Sequence, residues 1–187
     1  MKRLALAVVL LLSACTAIPC YAQTAVTAPD PWHHGTNEYI LDGNYSKQAD
    51  GHWRGKVTTA WAHFVTDNVE VGSIASFTSV LTQAVNPTGP AETVQGTGAG
   101  AFYEYNVPLK SKKFHLFAGG DSQYLTGQLS DLSTYVYSTR VGLKWHVGKS
   151  SAVRLSFDVN RAGQQTDAGA ALNQNGVNLG ISVGSGT

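Results

Sequence analysis

The chain has 187 residues, a net charge of +1, charged residues at only 13 % of the total, and 20 glycines. Its mean hydropathy is close to zero, which excludes a bundle of apolar membrane helices, and its 8 tyrosines and 4 tryptophans do not suit a disordered chain. So even a charge balance also lacks the basic footprint that a nucleic-acid partner requires.

Lys2 and Arg3 precede an apolar run from Leu4 to Leu12, too short to span a bilayer but suited to the core of a signal peptide. Two processing sites fit. Cys20-Tyr21-Ala22 ahead of Gln23 reads as small-residue cleavage, with Pro19 breaking the helix before it, and gives a cleavable signal peptide over 1–22. Leu12-Ser13-Ala14-Cys15 reads as a lipobox, which places a lipid on Cys15. The first removes both cysteines, so the exported chain needs neither disulfide nor metal; the second strands Cys20 as a lone thiol in an oxidising compartment. Residues 23–37, with Pro29, Pro31 and Gly35, read as an N-terminal periplasmic linker, and Trp32-His33-His34 as a solvated tail rather than a metal or peptidoglycan contact.

From Glu38 onward the pattern has a period of two, broken by turn chemistry. The alternation predicts eight strands, over Glu38 to Lys47, Gly55 to Val65, Val69 to Leu81, Val94 to Val107, Phe114 to Tyr124, Thr134 to Val147, Ala152 to Arg161 and Gln174 to Val183. Most match the roughly 9–11 residues that a tilted strand needs to cross the hydrocarbon layer. The sixth run places Tyr135, Tyr137, Val141, Leu143 and Trp145 on one face and Ser138, Arg140, Gly142, Lys144 and His146 on the other; the seventh and eighth repeat the pattern. In the second run Trp61, His63 and Phe64 do not sort onto faces, and no face is assigned there.

Links after even runs are short, as in Thr66-Asp67-Asn68 and Gly148 to Ser151, whereas those after odd runs are mostly longer, as in Thr82 to Thr93 and Ala162 to Asn173. That asymmetry, with eight alternating strands, predicts an all-β, antiparallel, up-and-down transmembrane β-barrel over 38–187 with both chain ends on the short-turn side. Alternation alone does not say which face meets the core, but aromatic placement does. Threading the strands puts Tyr39, Tyr103, Tyr105, Phe114 and Trp145 near the short-turn end, and Tyr45, Tyr124, Tyr135 and Tyr137 near the long-loop end, all on apolar faces. Amphipathic rings in two bands are what the two interfaces of a membrane select. The apolar faces then point to lipid, and the inward faces collect Asp42, Glu70, Glu104, Asp121 and Asp158 with Arg140, Lys144, Arg154, His115 and His146. Isolated buried charges are costly, so these should pair and plug the lumen, with Arg140 across from Asp158; a hydrated lumen where they seldom touch is the alternative.

Two stretches resemble a known family. His63-Phe64-Val65-Thr66-Asp67-Asn68-Val69-Glu70-Val71-Gly72 is similar to the first periplasmic hairpin of small outer-membrane β-barrels of the OmpA/OmpX type, and Val141-Gly142-Leu143-Lys144-Trp145 with Ala152 to Phe157 resembles a later hairpin. The resemblance covers about Glu38 to Val183 and implies a fold more than an activity. It implies a Gram-negative outer-membrane location, lipid and lipopolysaccharide as surroundings, the outer-membrane assembly machinery as a partner, and a monomer. Family members usually end on an aromatic residue; here the last positions run from Ile181 to Thr187.

No catalytic, cofactor-binding or metal-ligating constellation stands out. Lipid A deacylases of similar size carry a His and a Ser two positions apart on a late strand, where this chain reads Phe157-Asp158-Val159-Asn160-Arg161. Nucleophilic catalysis needs a base beside the nucleophile, and no spacing here supplies one. His115 and His146 lie on adjacent strands at depths that give no reason to meet, which favours separate lumen hydrogen bonds over a metal site. Gly96, Gly98 and Gly100 alternate within a strand with no helix following, so they relieve lumen crowding rather than cradle phosphate. The expected role is structural or surface-interacting, through the long loops. A narrow channel or a conduit for small hydrophobic molecules is the alternative, with a soluble periplasmic ligand-binding barrel and a lipid A enzyme behind it.

Overall fold

The computed structural model describes residues 32–47, 53–82, 90–110, 113–164 and 171–185. The signal segment, both processing sites and most of the proposed linker lie outside them. Within them, alternating polar and apolar residues rich in Val, Thr, Tyr and Phe form eight strands. They are β1 (Asn37–Lys47), β2 (Trp53–Phe64), β3 (Val69–Thr82), β4 (Glu92–Pro108), β5 (Phe114–Gly127), β6 (Tyr135–His146), β7 (Ser151–Ala162) and β8 (Gln174–Ser185). Each pairs antiparallel with its sequence neighbour, and β1 closes on β8 from Asn37↔Ser185 to Gly43↔Leu179. The chain is therefore an all-β, closed, eight-stranded up-and-down barrel, with no free sheet edge to satisfy.

Turn chemistry sets the short-link end. At the β2–β3 hairpin Thr66 Oγ1 accepts from the backbone N–H groups of Asn68 at 3.3 Å and Val69 at 3.0 Å, a local hydroxyl-to-backbone turn. At the β6–β7 hairpin Val147 N–H donates to the Ser151 carbonyl at 3.1 Å. At the opposite end β5 runs into a short 3₁₀ turn over Gln128–Asp131, entered at Gly127 with a positive φ of 69°.

Side chains divide by parity all the way round. Leu116, Leu143, Leu155 and Leu179 follow one another in register across β5 to β8, forming a leucine row on the outer wall. Leu179 is 64 % exposed and Leu155 49 %, so these leucines are not packed in a dry centre. The lumen instead buries Glu38, Glu70, Glu104, Arg140, Lys144, Arg154 and Asp158. β2 obeys the same rule despite its unsorted appearance. Trp61 and His63 face out and Phe64 faces in, because Phe64 is the last residue of the strand and fills the barrel mouth.

The lumen is layered. An apolar cluster of Val80, Val94, Leu125, Leu129, Leu132, Val136, Ala162 and Leu172 closes the long-loop end. The middle holds the charges. At the short-turn end residues 32–36 fold back across the opening, where Gly35, at φ 85°, turns the chain so that its N–H reaches the Phe64 carbonyl at 2.9 Å. Trp32 lies edge-on to His146, with ring centroids 4.6 Å apart, and its Nε1 donates to the Lys149 carbonyl at 3.3 Å. The solvated-tail reading of Trp32 is corrected accordingly: an indole that leaves water for a ring and a carbonyl is better placed at the mouth than in solvent.

Candidate functional site: the charged lumen

The charges nearest the short-turn end come from opposite walls. Carboxylates stand on β1 (Glu38, Asp42), β3 (Glu70), β4 (Glu104) and β5 (Asp121), while Arg140, Lys144 and Arg154 stand on β6 and β7. Like charges are neighbours within a wall: Glu70 is paired in register with Glu104, and Lys144 with Arg154. Such like-charge cross-strand pairs repel. Closure offsets the repulsion by facing one wall with the other.

Arg154 Nη1 bonds Glu38 Oε1 at 3.1 Å and its Nη2 bonds Glu104 Oε2 at 2.6 Å, while its guanidinium lies 4.4 Å from the centre of the Phe117 ring. Lys144 Nζ bonds Glu38 Oε2 at 2.7 Å and Glu70 Oε1 at 3.3 Å, with Glu104 Oε1 at 3.6 Å. Asn106 Nδ2 adds a bond to Glu70 Oε1 at 3.0 Å. Glu38, read from sequence only as the start of a strand, is the shared acceptor of both cations. Its position at the barrel end hid the role; its inward parity with Asp42 was the available signal.

A second cluster lies toward the long loops. Arg140 is hydrogen-bonded to Asp121 and lies 3.9 Å from Asp42 Oδ2. A chain continues from Asp121 through Gln123 Nε2 at 2.6 Å, whose Oε1 accepts from Ser76 Oγ at 2.6 Å. Arg140 and Asp158 do stand opposite each other in register. The Asp158 carboxylate, however, accepts from Ser156 Oγ at 2.9 Å, while Arg140 bonds its diagonal neighbour Asp121 on β5 and reaches over the lumen only toward Asp42. On the concave side of a closed sheet the far wall is within reach of a long side chain, so ladder neighbours are not the only candidates.

The two histidines need correction. His146 Nε2 and His115 Nδ1 are 2.6 Å apart, sharing one hydrogen bond. His115 is in register with Lys144, so His146 is its diagonal neighbour, and curvature toward the axis brings diagonal side chains together. Among the described residues no group of three or more His, Cys, Asp or Glu is placed to hold a metal ion.

On the outer wall the tyrosines and tryptophans, with Phe114, occupy two rings, and Phe157 lies between them in register with Val141. Near the short turns lie Tyr39, Tyr103, Tyr105, Phe114 and Trp145, with Trp145 stacked on Phe114 at 6.1 Å; Trp61 joins them in register with Tyr39. Near the long loops lie Tyr45, Tyr124, Tyr135 and Tyr137, with Tyr124 edge-on to Tyr135 at 5.4 Å and Trp53 stacked on Tyr45 at 6.3 Å. Along β6 the rings are eight to ten residues apart, from Tyr137 or Tyr135 to Trp145. At about 3.4 Å per residue and a tilt of about 40° this spans roughly 20–26 Å, close to the ~25 Å apolar band of an outer-membrane barrel.

No family model and no curated protein sequence matches the chain. Solved structures do. A de novo designed transmembrane β-barrel is similar over 81 % of this chain and 97 % of its own, with a TM-score of 0.51 at 13 % identity. The N-terminal β-barrel domain of Pseudomonas aeruginosa OprF is similar over 81 % of this chain and 98 % of its own, with a TM-score of 0.51 at 18 % identity. At such identities the likeness is one of fold.

Proposed function

We propose that the chain is an exported outer-membrane β-barrel with a structural or surface-interaction role carried by its long loops, its lumen closed by the paired charges. A signal peptide over 1–22, cleaved after Ala22, starts that route. One observation carries the proposal: leucines and two aromatic rings cover the outside of a closed barrel whose ionised side chains are buried within. In water the wall would leave its apolar surface exposed; in a bilayer lipid covers it and closure satisfies the backbone, while the cost of the buried charges is offset by their pairing. Lipid and lipopolysaccharide then surround the wall, the outer-membrane assembly machinery inserts it, and the barrel works as a monomer. The OprF barrel domain, similar in fold, supports the location.

Cell fractionation and gel migration test it. The protein is expected in the outer-membrane fraction, extractable only with detergent, and migrating as a compact band that shifts on boiling. Release by osmotic shock without detergent would overturn the location. In planar bilayers the plugged lumen is expected to give no steady conductance, and reproducible single-channel openings would replace the plug with a channel.

A further inference from the structure

Two interior cations stand apart from the network. Arg54 and Lys56 lie two residues apart on the inward face of β2 and are buried, Lys56 to 6 % exposure. Among the described residues neither has a carboxylate within 4.0 Å. The nearest acidic groups are engaged elsewhere, Asp121 by Arg140 and Gln123 and Asp158 by Ser156. Arg54 spends Nη1 on the Leu172 carbonyl at 3.2 Å, and its Nε has no partner. Asn44, opposite Lys56 in the β1–β2 ladder, offers only a neutral amide, which leaves Asp121 and Asp158, both beyond 4.0 Å, as the opposing charges.

These two side chains line a cavity with Ser76 and Thr78, and Leu129 and Leu172 of the apolar cap close it on the loop side. Its volume is about 10 Å³, room for roughly one water-sized particle. Two positive charges on one strand, beneath a lid that excludes bulk water, repel each other and have lost their hydration; a buried charge without a partner is costly. A small anion between them relieves both costs, and the Thr78 hydroxyl stands beside it as a neutral donor.

We propose that this cavity binds one chloride-sized inorganic anion, held by Arg54 and Lys56 with Thr78. The size selects against larger anions, and the paired cations select against a neutral occupant. The assignment rests on the interior geometry and not on where the barrel resides.

Unfolding of the detergent-purified protein in chloride, compared with gluconate at equal ionic strength, tests the proposal. Gluconate is too large for the cavity, so general salt screening is matched between the two. With chloride above its dissociation constant, each tenfold rise should increase the folding equilibrium constant by up to tenfold, and Lys56→Met should abolish the dependence. Equal stability in both salts, or a chloride dependence that survives Lys56→Met, overturns the site. Should Lys56→Met fail to fold, Thr78→Val is expected to weaken the dependence, and no weakening counts against the site. Crystals grown in chloride should show an anomalous chlorine peak between Arg54 and Lys56 at long wavelength, and its absence at saturating chloride is likewise fatal.

Discussion

Arg154 is the side chain on which the interior most depends. It is 2 % exposed, bonds two glutamates from different strands and lies against Phe117. Arg154→Met keeps the volume and much of the ring contact but leaves Glu38, Glu70 and Glu104 facing Lys144 alone. Breaking a buried pair from one side costs about 3–5 kcal/mol, most of it the burden of the orphaned charge. Denaturant unfolding in lipid vesicles should register that loss. Adding Glu104→Gln should recover part of it, because the removed carboxylate no longer needs a cation. Strictly additive losses would show that Arg154 and Glu104 act independently. Inward parity made most of these residues legible in the sequence. Their partners were not legible, since Arg140 turns to its diagonal neighbour Asp121 on β5 and, across the lumen, to Asp42 rather than to the directly opposite Asp158, and the approach to Asp42 exists only once β1 has closed on β8.

Among the elements, β4 shows why small residues alternate in a strand. Gly98 points inward beside the bond between Ser76 and Gln123, and a Cβ there would stand 2.7 Å from Gln123 Oε1 and 3.0 Å from Ser76 Oγ. Gly98→Leu should therefore dislodge Gln123 and, through it, the hydrogen bond to Asp121. Overpacking of this kind costs about 1–3 kcal/mol, measurable as a lowered unfolding midpoint, and Gly98→Ala should cost less. Equal stability of the leucine variant would mean that Gln123 has room to move. The eight strands were legible because alternation is a local property, and β6, β7 and β8 display it most clearly. β2 was harder to read. Its parity is as strict, but Phe64 and the alanines at 60 and 62 put apolar groups inside, so polarity no longer marked the inner face and Arg54 and Lys56 went unassigned. The mouth-covering fold of Trp32 had no periodic signal at all, because it depends on one positive-φ glycine and on contacts with β6 and the turn that follows it.

For the whole molecule the decisive quantity is what surrounds the wall. Leu179 lies mid-strand on β8, outward, in the leucine row with Leu155 and Leu143, while Val183 lies near the short-turn end of the same face. In water Leu179→Arg is a surface change, worth no more than about 0.5 kcal/mol in either direction. In a bilayer the same arginine sits near the midplane and costs roughly 2–4 kcal/mol, falling to about 0–1 kcal/mol near an interface. Unfolding from lipid vesicles should thus find Leu179→Arg strongly destabilised and Val183→Arg hardly affected. The gradient matters more than either value. A soluble barrel has no reason to distinguish two exposed positions by their height along the strand, whereas hydrocarbon bounded by two aromatic rings must do so. Equal, small effects at both sites would place the wall in water, and the buried charges would then need another account of why the fold turns them inward.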